Sequence, residues 1–489
     1  MTKQNDSLKA SAQGATYLVL LTILSRGLTF SLNQLLLRYL SPSLLGIAVQ
    51  LELYLISTLY FSRESLRIAT QRRSDGGIQA AINLSYLAIL AGFPIGALLA
   101  EGYLKSAPTE VPYLHLAVRI THLAAIIELI SEPSFVAVQQ NMLYKTRARA
   151  EASAVVVKTA VTAGAVLFGV RRGLNSGVLP FALGELAYTA TLAMVYLTHT
   201  SIHTLLPKKL PSSPSNPYIS LPLLTLSASL YLQTGLKYLL TEGDKLLVST
   251  LTTLPEQGKY ALASNYGGLI ARMLFRPIED TSRNLFAQLC SSTKNTPEIS
   301  RAAAILHDML KLYSTFSLIA LSLGPHAAPL LLHLAAGAKW SSSGAGDVLA
   351  TYSYCIPLMA LNGVSEAFVA AAASTKELRT QSFAMAGFSV VFAVSAVVFL
   401  RVGELGARGL VYANCVNLAL RVCFNVWFAR VFFGRNGVGF EAVGCLPSAS
   451  AVAGAVVAAG VMGRWEGGLG LFGELGKVGG VGVGLVGFV

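Results

Sequence analysis

Charge is scarce in this chain. Only 12% of its 489 residues are Asp, Glu, Lys or Arg, where soluble domains carry about 25%, so a water-facing surface cannot cover most of it. Cysteine is scarce as well. The five, Cys290, Cys355, Cys415, Cys423 and Cys445, fall mostly inside apolar runs without CxxC spacing, a pattern that implies neither a disulfide framework nor a metal site. No Walker motif, GxSxG or HExxH occurs, so ATP-driven pumping and the common hydrolytic chemistries lack support, and neither cofactor nor metal is expected. A GxGxxG stands at Gly482, Gly484 and Gly487, two residues before the last one; with no helix after it to meet a pyrophosphate, it is expected to bind no nucleotide. No cleavable signal peptide is expected either, because MTKQNDSLKASAQGA is polar and the apolar run behind it is long enough to remain a membrane span.

What the chain has in abundance is apolar length. It is 53% hydrophobic with a mean hydropathy of +0.58, and runs of about 18 to 25 apolar residues, each able to cross a bilayer as a helix, recur between short polar or Gly/Pro breaks. An all-α polytopic membrane protein follows. About fourteen spans are expected, at 15–38, 43–62, 81–104, 112–141, 150–170, 177–199, 218–247, 258–287, 302–323, 347–373, 381–401, 408–430, 442–463 and 467–488. The run PHAAPLLLHLAAGAKW at 325–340 is too short to span and is expected to cap or re-enter.

Basic residues dominate the balance, at a net charge of +13, and they cluster on alternate loops: Lys3/Lys9, Arg63/Arg67/Arg72/Arg73, Lys145/Arg147/Arg149, Lys208/Lys209, Arg283/Lys294/Arg301, Lys376/Arg379 and Arg430/Arg435. The positive-inside rule then puts both termini in the cytosol, and it explains the charge without a nucleic-acid partner. Asn5, in an Asn-Asp-Ser sequon, is accordingly expected to stay unglycosylated.

Charges inside the spans carry more information. The segment 265–288 holds Arg272, Arg276, Glu279, Asp280 and Arg283; at about 2.5–3.5 kcal/mol per ionised residue near a helix centre, they must face a protein interior or a wet cavity. Arg272, Arg276, Glu279 and Arg283 are spaced four, three and four apart, a ladder on one helix face that Pro277 is expected to kink. Just before it, Lys237, Glu242, Asp244 and Lys245 surround Gly243, a possible helix break. In the fourth span Glu128 and Glu132 stand one turn apart, where mutual repulsion would support proton coupling, unless Arg119 or Lys158 is a structural partner. His115 and His122 share a face there but lack a third ligand. Asn362, Gly363 and Glu366, and then Asn414, Asn417 and Arg421, suit either packing or a cavity.

The chain also reads as two halves. The Pro/Ser-rich interval 200–217 separates them, and related phrases, LSPSLLGIAVQLEL (40–53) and TLPEQGKYALASNY (253–266), open the second span of each. Each phrase has a Pro, then a Gly, then an Ala, as a duplicated transporter requires.

Six ordered blocks, RGLTFSLNQLLLRYLSP (26–42), YFSRESLRIA (60–69), IIELISEP (126–133), KYLLTEGDK (237–245), QGKYALASNYGGLIARMLFRPIED (257–280) and LNGVSEAF (361–368), closely resemble the Rft oligosaccharide-translocation family of the endoplasmic reticulum. That family resembles a branch of the multidrug/oligosaccharidyl-lipid/polysaccharide exporter superfamily. The resemblance implies two six-helix lobes around a central cavity, at 1–199 and 218–430, joined by a cytosolic linker at 200–217 and followed by two further helices in 431–489. It implies a transporter, not an enzyme, of the endoplasmic reticulum membrane. Its substrate would be dolichol-diphosphate-linked oligosaccharide, carried from the cytosolic to the lumenal leaflet for protein N-glycosylation, by alternating access among membrane lipids and with the glycosylation machinery as an expected partner.

Such a flippase must hold a diphosphate away from hydrocarbon, and Arg, always charged and bidentate towards phosphate, suits that task. Arg26, Asn33, Arg38, Arg63, Arg67, Lys237, Arg272 and Arg276 are the expected cavity residues. Glu64, Glu128, Glu132, Glu242, Asp244, Lys245, Glu279, Asp280, Glu366 and Arg421 are the expected gates or charge partners. Two rivals remain open: a non-transporting accessory or scaffold protein of lipid-linked oligosaccharide assembly, and an ion-coupled exporter on the same scaffold.

Overall fold

The computed structural model describes residues 31–72, 77–106, 111–141, 143–200, 205–210, 218–270, 273, 275–290, 296–463 and 470–488, and no strand occurs among them. Apolar backbone in lipid must satisfy its own hydrogen bonds, so helix is the form these runs take. In the first half, residues 31–39 form α1, followed by α2 (Pro42–Arg72), α3 (Gly77–Ser106), α4 (Leu114–Ile130), α5 (Glu132–Gln140), α6 (Tyr144–Arg171) and α7 (Leu179–His199). After them come α8 (Leu221–Leu251), α9 (Leu254–Ile270), α10 (Arg276–Cys290), α11 (Thr296–Ala336), α12 (Ala338–Ser341), α13 (Ala345–Tyr352), α14 (Cys355–Ala372), α15 (Thr375–Val397), α16 (Ala407–Arg435), α17 (Ala449–Gly463) and α18 (Gly470–Phe488).

Helix occupies each of the fourteen expected places so far as they are described. Nine spans among the described residues are long and apolar enough to cross a membrane. They correspond to the second to sixth and ninth to twelfth places. The other places hold helices that are shorter, as α17 is, or diluted by polar residues or glycine, as α8 and α18 are.

Three local expectations need correction. Helix α8 runs through Gly243 without a break, because one glycine costs only about 1 kcal/mol in a helix that neighbours hold. The eighth place contains two described helices, α9 and α10, and Pro277 stands in the first turn of α10. Met273 and Phe275 ahead of it are π-helical, so Pro277 stands where π-type hydrogen bonding gives way to the α-helix that carries Glu279 and Arg283. The run expected to cap at 325–340 largely continues α11, which holds Pro325 and Pro329 in its interior and reaches 41 residues, or about 60 Å. Helix α13 packs beside those prolines, with Gly346 against Pro329.

The described chain forms two compact units, residues 31–40 and 47–241, and residues 41–46 with 242–488; the division falls within α8, at Thr241 and Glu242. The polar interval expected to part the lobes is partly packed in the first unit. Leu205 and Leu210 are buried, Asn83 on α3 donates to the carbonyls of Lys208 (2.6 Å) and Tyr218 (2.7 Å), and Tyr86 donates to that of Leu205 (2.9 Å). In the second unit, the two glycines of the repeated phrase meet. A Cβ on Gly258 would lie 1.8 Å from the Pro42 carbonyl oxygen, and one on Gly46 would lie 2.3 Å from that of Leu254. Each phrase therefore keeps its glycine because the other phrase's backbone occupies the space of a side chain.

Candidate functional site

The strongest concentration of buried charge lies in the first unit, and a proline creates it. Pro133 has no N–H, so α4 ends at Ile130, Ser131 turns back onto the carbonyls of Ile127 and Glu128, and α5 starts at Glu132. Glu128 in the last turn of α4 and Glu132 at the start of α5 are only 6% and 2% exposed. Carboxylates so removed from water need cations.

Helix α2 supplies them at matching spacing. Arg63 Nη1 is 2.8 Å from Glu128 Oε1 and 3.5 Å from Glu132 Oε2. Arg67 grips Glu132 with two donors, Nε to Oε1 and Nη2 to Oε2, the latter at 2.7 Å. Two rows of side chains four residues apart thus pair rung by rung. The guanidinium of Arg67 also lies 3.8 Å over the Phe135 ring, whose environment includes Arg147 at 5.4 Å. Beside this ladder Lys158 on α6 pairs with Glu185 on α7 and approaches the Tyr188 ring at 5.9 Å. Arg63, Arg67 and Lys158 therefore stand against Glu128, Glu132 and Glu185, three charges of each sign.

This arrangement corrects one expectation. Glu128 and Glu132 pair with Arg63 and Arg67, not with Arg119, which is exposed, or Lys158, which is taken by Glu185. The repulsion expected between the two acids is offset, since each has its own guanidinium. Glu64 is half-buried and stands in none of these pairs. His122 accepts or donates at 2.9 Å with the Tyr54 hydroxyl, a polar packing role.

In the second unit a different polar centre joins α10, α14 and α16. Asn362 donates to Glu366 at 2.9 Å, and fully buried Asn425 donates to Asn362 at 3.4 Å and to Ser365 at 3.3 Å. Glu279 leans onto Gly363, where an added Cβ would fall 1.7 Å from its Oε1. Gly363 is there because a carboxylate occupies its side-chain space. Along α16, Asn417 Oδ1, Arg421 Nε and Asn425 Oδ1 are buried with no hydrogen-bond partner among the described residues.

The remaining expected site residues are not gathered into either centre. Arg26 and Arg272 lie outside the described residues. Asn33 and Arg38 are exposed on α1, and Lys237 is exposed on α8. Glu242 pairs with Lys245 at 2.7 Å, and Asp244 is exposed. On α10, Arg276 and Asp280 are exposed and Arg283 stands 3.9 Å from Asp280. Arg276 and Glu279, three apart on the ladder, do not pair among the described ion pairs; Glu279 turns to Gly363 instead.

Phe135, Glu185, Tyr188 and Asn425 belong to these centres although spacing alone did not single them out. One signal could have found part of them: ISEPSFVA (130–137) and VSEAFVAA (364–371) repeat a Ser-Glu pair followed by Phe-Val-Ala. Glu132 and Glu366 are the acids of that repeat, and Phe135 and Phe368 both enter cores.

The chain matches the family model described as Rft protein over residues 10–486. A relative from Yarrowia lipolytica named Man(5)GlcNAc(2)-PP-dolichol translocation protein RFT1 is 34% identical, across 88% of this chain and 72% of that protein. The protein of that name from Saccharomyces cerevisiae is 32% identical, covering 88% and 86%. Among solved structures, the lipid II flippase MurJ in an inward closed conformation matches with a TM-score of 0.65 at 13% identity, covering 96% of this chain and 98% of the other. An inward-facing multidrug resistance MATE family transporter of the MOP superfamily matches at 0.60 and 13%, covering 84% and 95%. These likenesses give the fold, that of polytopic helical transporters. With its family model matched over nearly its whole length, the chain belongs to the Rft protein family.

Proposed function

We propose that this protein moves dolichol-diphosphate-linked oligosaccharide from the cytosolic to the lumenal leaflet of the endoplasmic reticulum membrane, as a transporter and not an enzyme, with both termini cytosolic. The observation that carries the reading is its relatedness, over 88% of its length, to proteins named for translocating Man(5)GlcNAc(2)-PP-dolichol. The transporter fold is consistent with it.

In this reading the diphosphate is handled by Arg26, Arg63, Arg67 and Arg272. Two of these are held by carboxylates in the described structure, and that pairing is what an empty site needs: buried guanidinium groups stay neutralised until a phosphate competes for them. Glu128 and Glu132 then act as place-holders, and exchange between carboxylate and phosphate couples substrate arrival to the α2 and α4–α5 packing. Lumenal elongation of the sugar would consume the product and give direction without ATP.

The test is reconstitution. Liposomes holding the purified chain should expose the lipid-linked oligosaccharide on the opposite leaflet faster than empty ones, and an Arg272→Ala or Arg67→Ala variant that still folds should lose the acceleration. Rates equal to those of empty liposomes would overturn the proposal. The same pairing of Arg63 and Arg67 favours one rival, an accessory protein that binds the lipid intermediate or the glycosylation machinery without moving it. That rival predicts binding of the lipid with no change in its rate of exposure.

A further inference from the structure

Two cysteines that are distant in sequence face each other in the second unit. Cys355 is the first residue of α14 and is completely buried; Cys415 lies in the third turn of α16 and is half-buried. Their sulfurs are 2.9 Å apart, which leaves less than about 1 Å to close to a disulfide bond of about 2.05 Å. Both helices are fixed around this point. The Cys355 thiol also points at the Val411 carbonyl on α16, at 3.6 Å, and α14 and α16 share the core built from Val364, Phe368, Phe428 and Phe433. The other cysteines have no sulfur partner: Cys445 lies beside His307 at 3.5 Å, Cys290 is buried in the apolar core, and Cys423 is exposed.

The compartment decides what such a pair does. Thiols persist in the cytosol and oxidise in the lumen. Lys376 and Arg379 open α15 just after α14 ends, and Arg430 and Arg435 close α16, so the positive-inside rule puts those helix ends in the cytosol. Cys355, at the opposite end of α14, and Cys415, in the first third of α16, then belong to the lumenal half of the membrane.

We propose that Cys355 and Cys415 are a redox modification site, joined by a disulfide that clamps α14 to α16 on the lumenal side. This rests on the orientation given under the proposed function. The oxidant is a small or protein disulfide of the lumen. The thiolate of half-buried Cys415 attacks one sulfur of the oxidant, forming a mixed disulfide and releasing the other sulfur as a thiol. The Cys355 thiolate then attacks Cys415 Sγ, closing the protein disulfide and releasing the second thiol. Two protein thiols lose two electrons and two protons, and the oxidant disulfide is reduced to two thiols. Thiolate access decides the order, since Cys355 has no exposed surface.

The experiment counts thiols on the full-length chain in endoplasmic reticulum microsomes. The membranes are quenched with acid, denatured in SDS and treated with a maleimide of large mass, before or after reduction. The chain has five cysteines, so the disulfide predicts three modified thiols before reduction and five after it. Cys355→Ser and Cys415→Ser should each give four in both conditions. Five modified thiols before reduction in the unaltered chain overturns the proposal, whether or not the serine variants fold. A glycosylation sequon at the centre of a long polar spacer inserted into the loop at 403–406 reads the orientation independently. Its modification together with five free thiols means that the disulfide fails while the orientation stands, and its lack of modification overturns the orientation itself.

Discussion

Neutralising Glu132 to Gln tests the buried ladder most directly. Glu132 is 2% exposed and serves both guanidinium groups, Arg67 through two hydrogen bonds and Arg63 at 3.5 Å. In the variant, Arg63 keeps Glu128 at 2.8 Å, but Arg67 keeps only the face of Phe135 and a neutral amide. Removing one partner of a buried pair costs about 3–5 kcal/mol, because the other charge is left uncompensated. At about 1.4 kcal/mol per tenfold, the unfolding equilibrium should shift by roughly two to four powers of ten. Arg67→Met removes the cation instead and leaves the carboxylate only Arg63 at 3.5 Å, at a similar cost. The double variant strands neither, so its loss should fall short of the sum by about 2–3 kcal/mol, near the upper end of measured couplings. Equilibrium unfolding by SDS in mixed micelles, followed by far-UV circular dichroism, gives all four corners of the cycle. Losses that add to within about 0.5 kcal/mol, or a Glu132→Gln variant as stable as the parent, would refute the claim that these charges depend on one another.

Five further outcomes follow from contacts elsewhere. Glu101→Gln breaks only an exposed pair with Lys105 and should change stability in the same assay by less than about 0.5 kcal/mol. Gly258→Ala puts a Cβ 1.8 Å from a backbone oxygen of Pro42 and should cost about 1–3 kcal/mol by overpacking, whereas Gly243→Ala, with nothing within 4 Å of the new Cβ, should gain up to about 1 kcal/mol of helix stability. Ser374→Ala removes the capping box it forms with Glu377 at the start of α15 and should cost about 1 kcal/mol, seen as a lower unfolding midpoint. Asn83→Ala deletes the donors that hold Lys208 and Tyr218, so trypsin should cleave at Lys208 and Lys209 several times faster than in the parent chain, and an unchanged rate would show that the buried Leu205 and Leu210 suffice.

Composition and periodicity determined the class of this protein and most of its helix places, because apolar length in a bilayer admits one backbone solution. The repeated Pro-Gly-Ala phrase was visible as pattern, and Gly46 and Gly258 carry it in space. Glu128 and Glu132 stood out as charges inside a span, for the energetic reason that such charges cannot be left alone, and Arg63 and Arg67 as paired cations one turn apart just past another. Their partners were not legible. Pairing depends on which helices cross and at what height, and no local spacing joins Arg63 to Glu128 across 65 positions, or chooses Glu185 over Glu128 for Lys158.

The same limit governs the breaks. Gly243 and Pro277 are ambiguous by propensity: a glycine inside a helix is tolerated when neighbours hold it, and a proline can kink a helix or begin one. Tertiary packing decided that α8 continues and that α9 and α10 are separate α-helices with π-helical Met273 and Phe275 between them. Cys355 and Cys415, sixty residues apart and without a motif, were unremarkable as sequence and became a pair only through the contact of α14 with α16. What belongs to one helix, its length, its polarity and the face its charges share, is written in consecutive residues. What belongs to two helices, an ion pair, a glycine contact or a sulfur pair, exists only after both have packed.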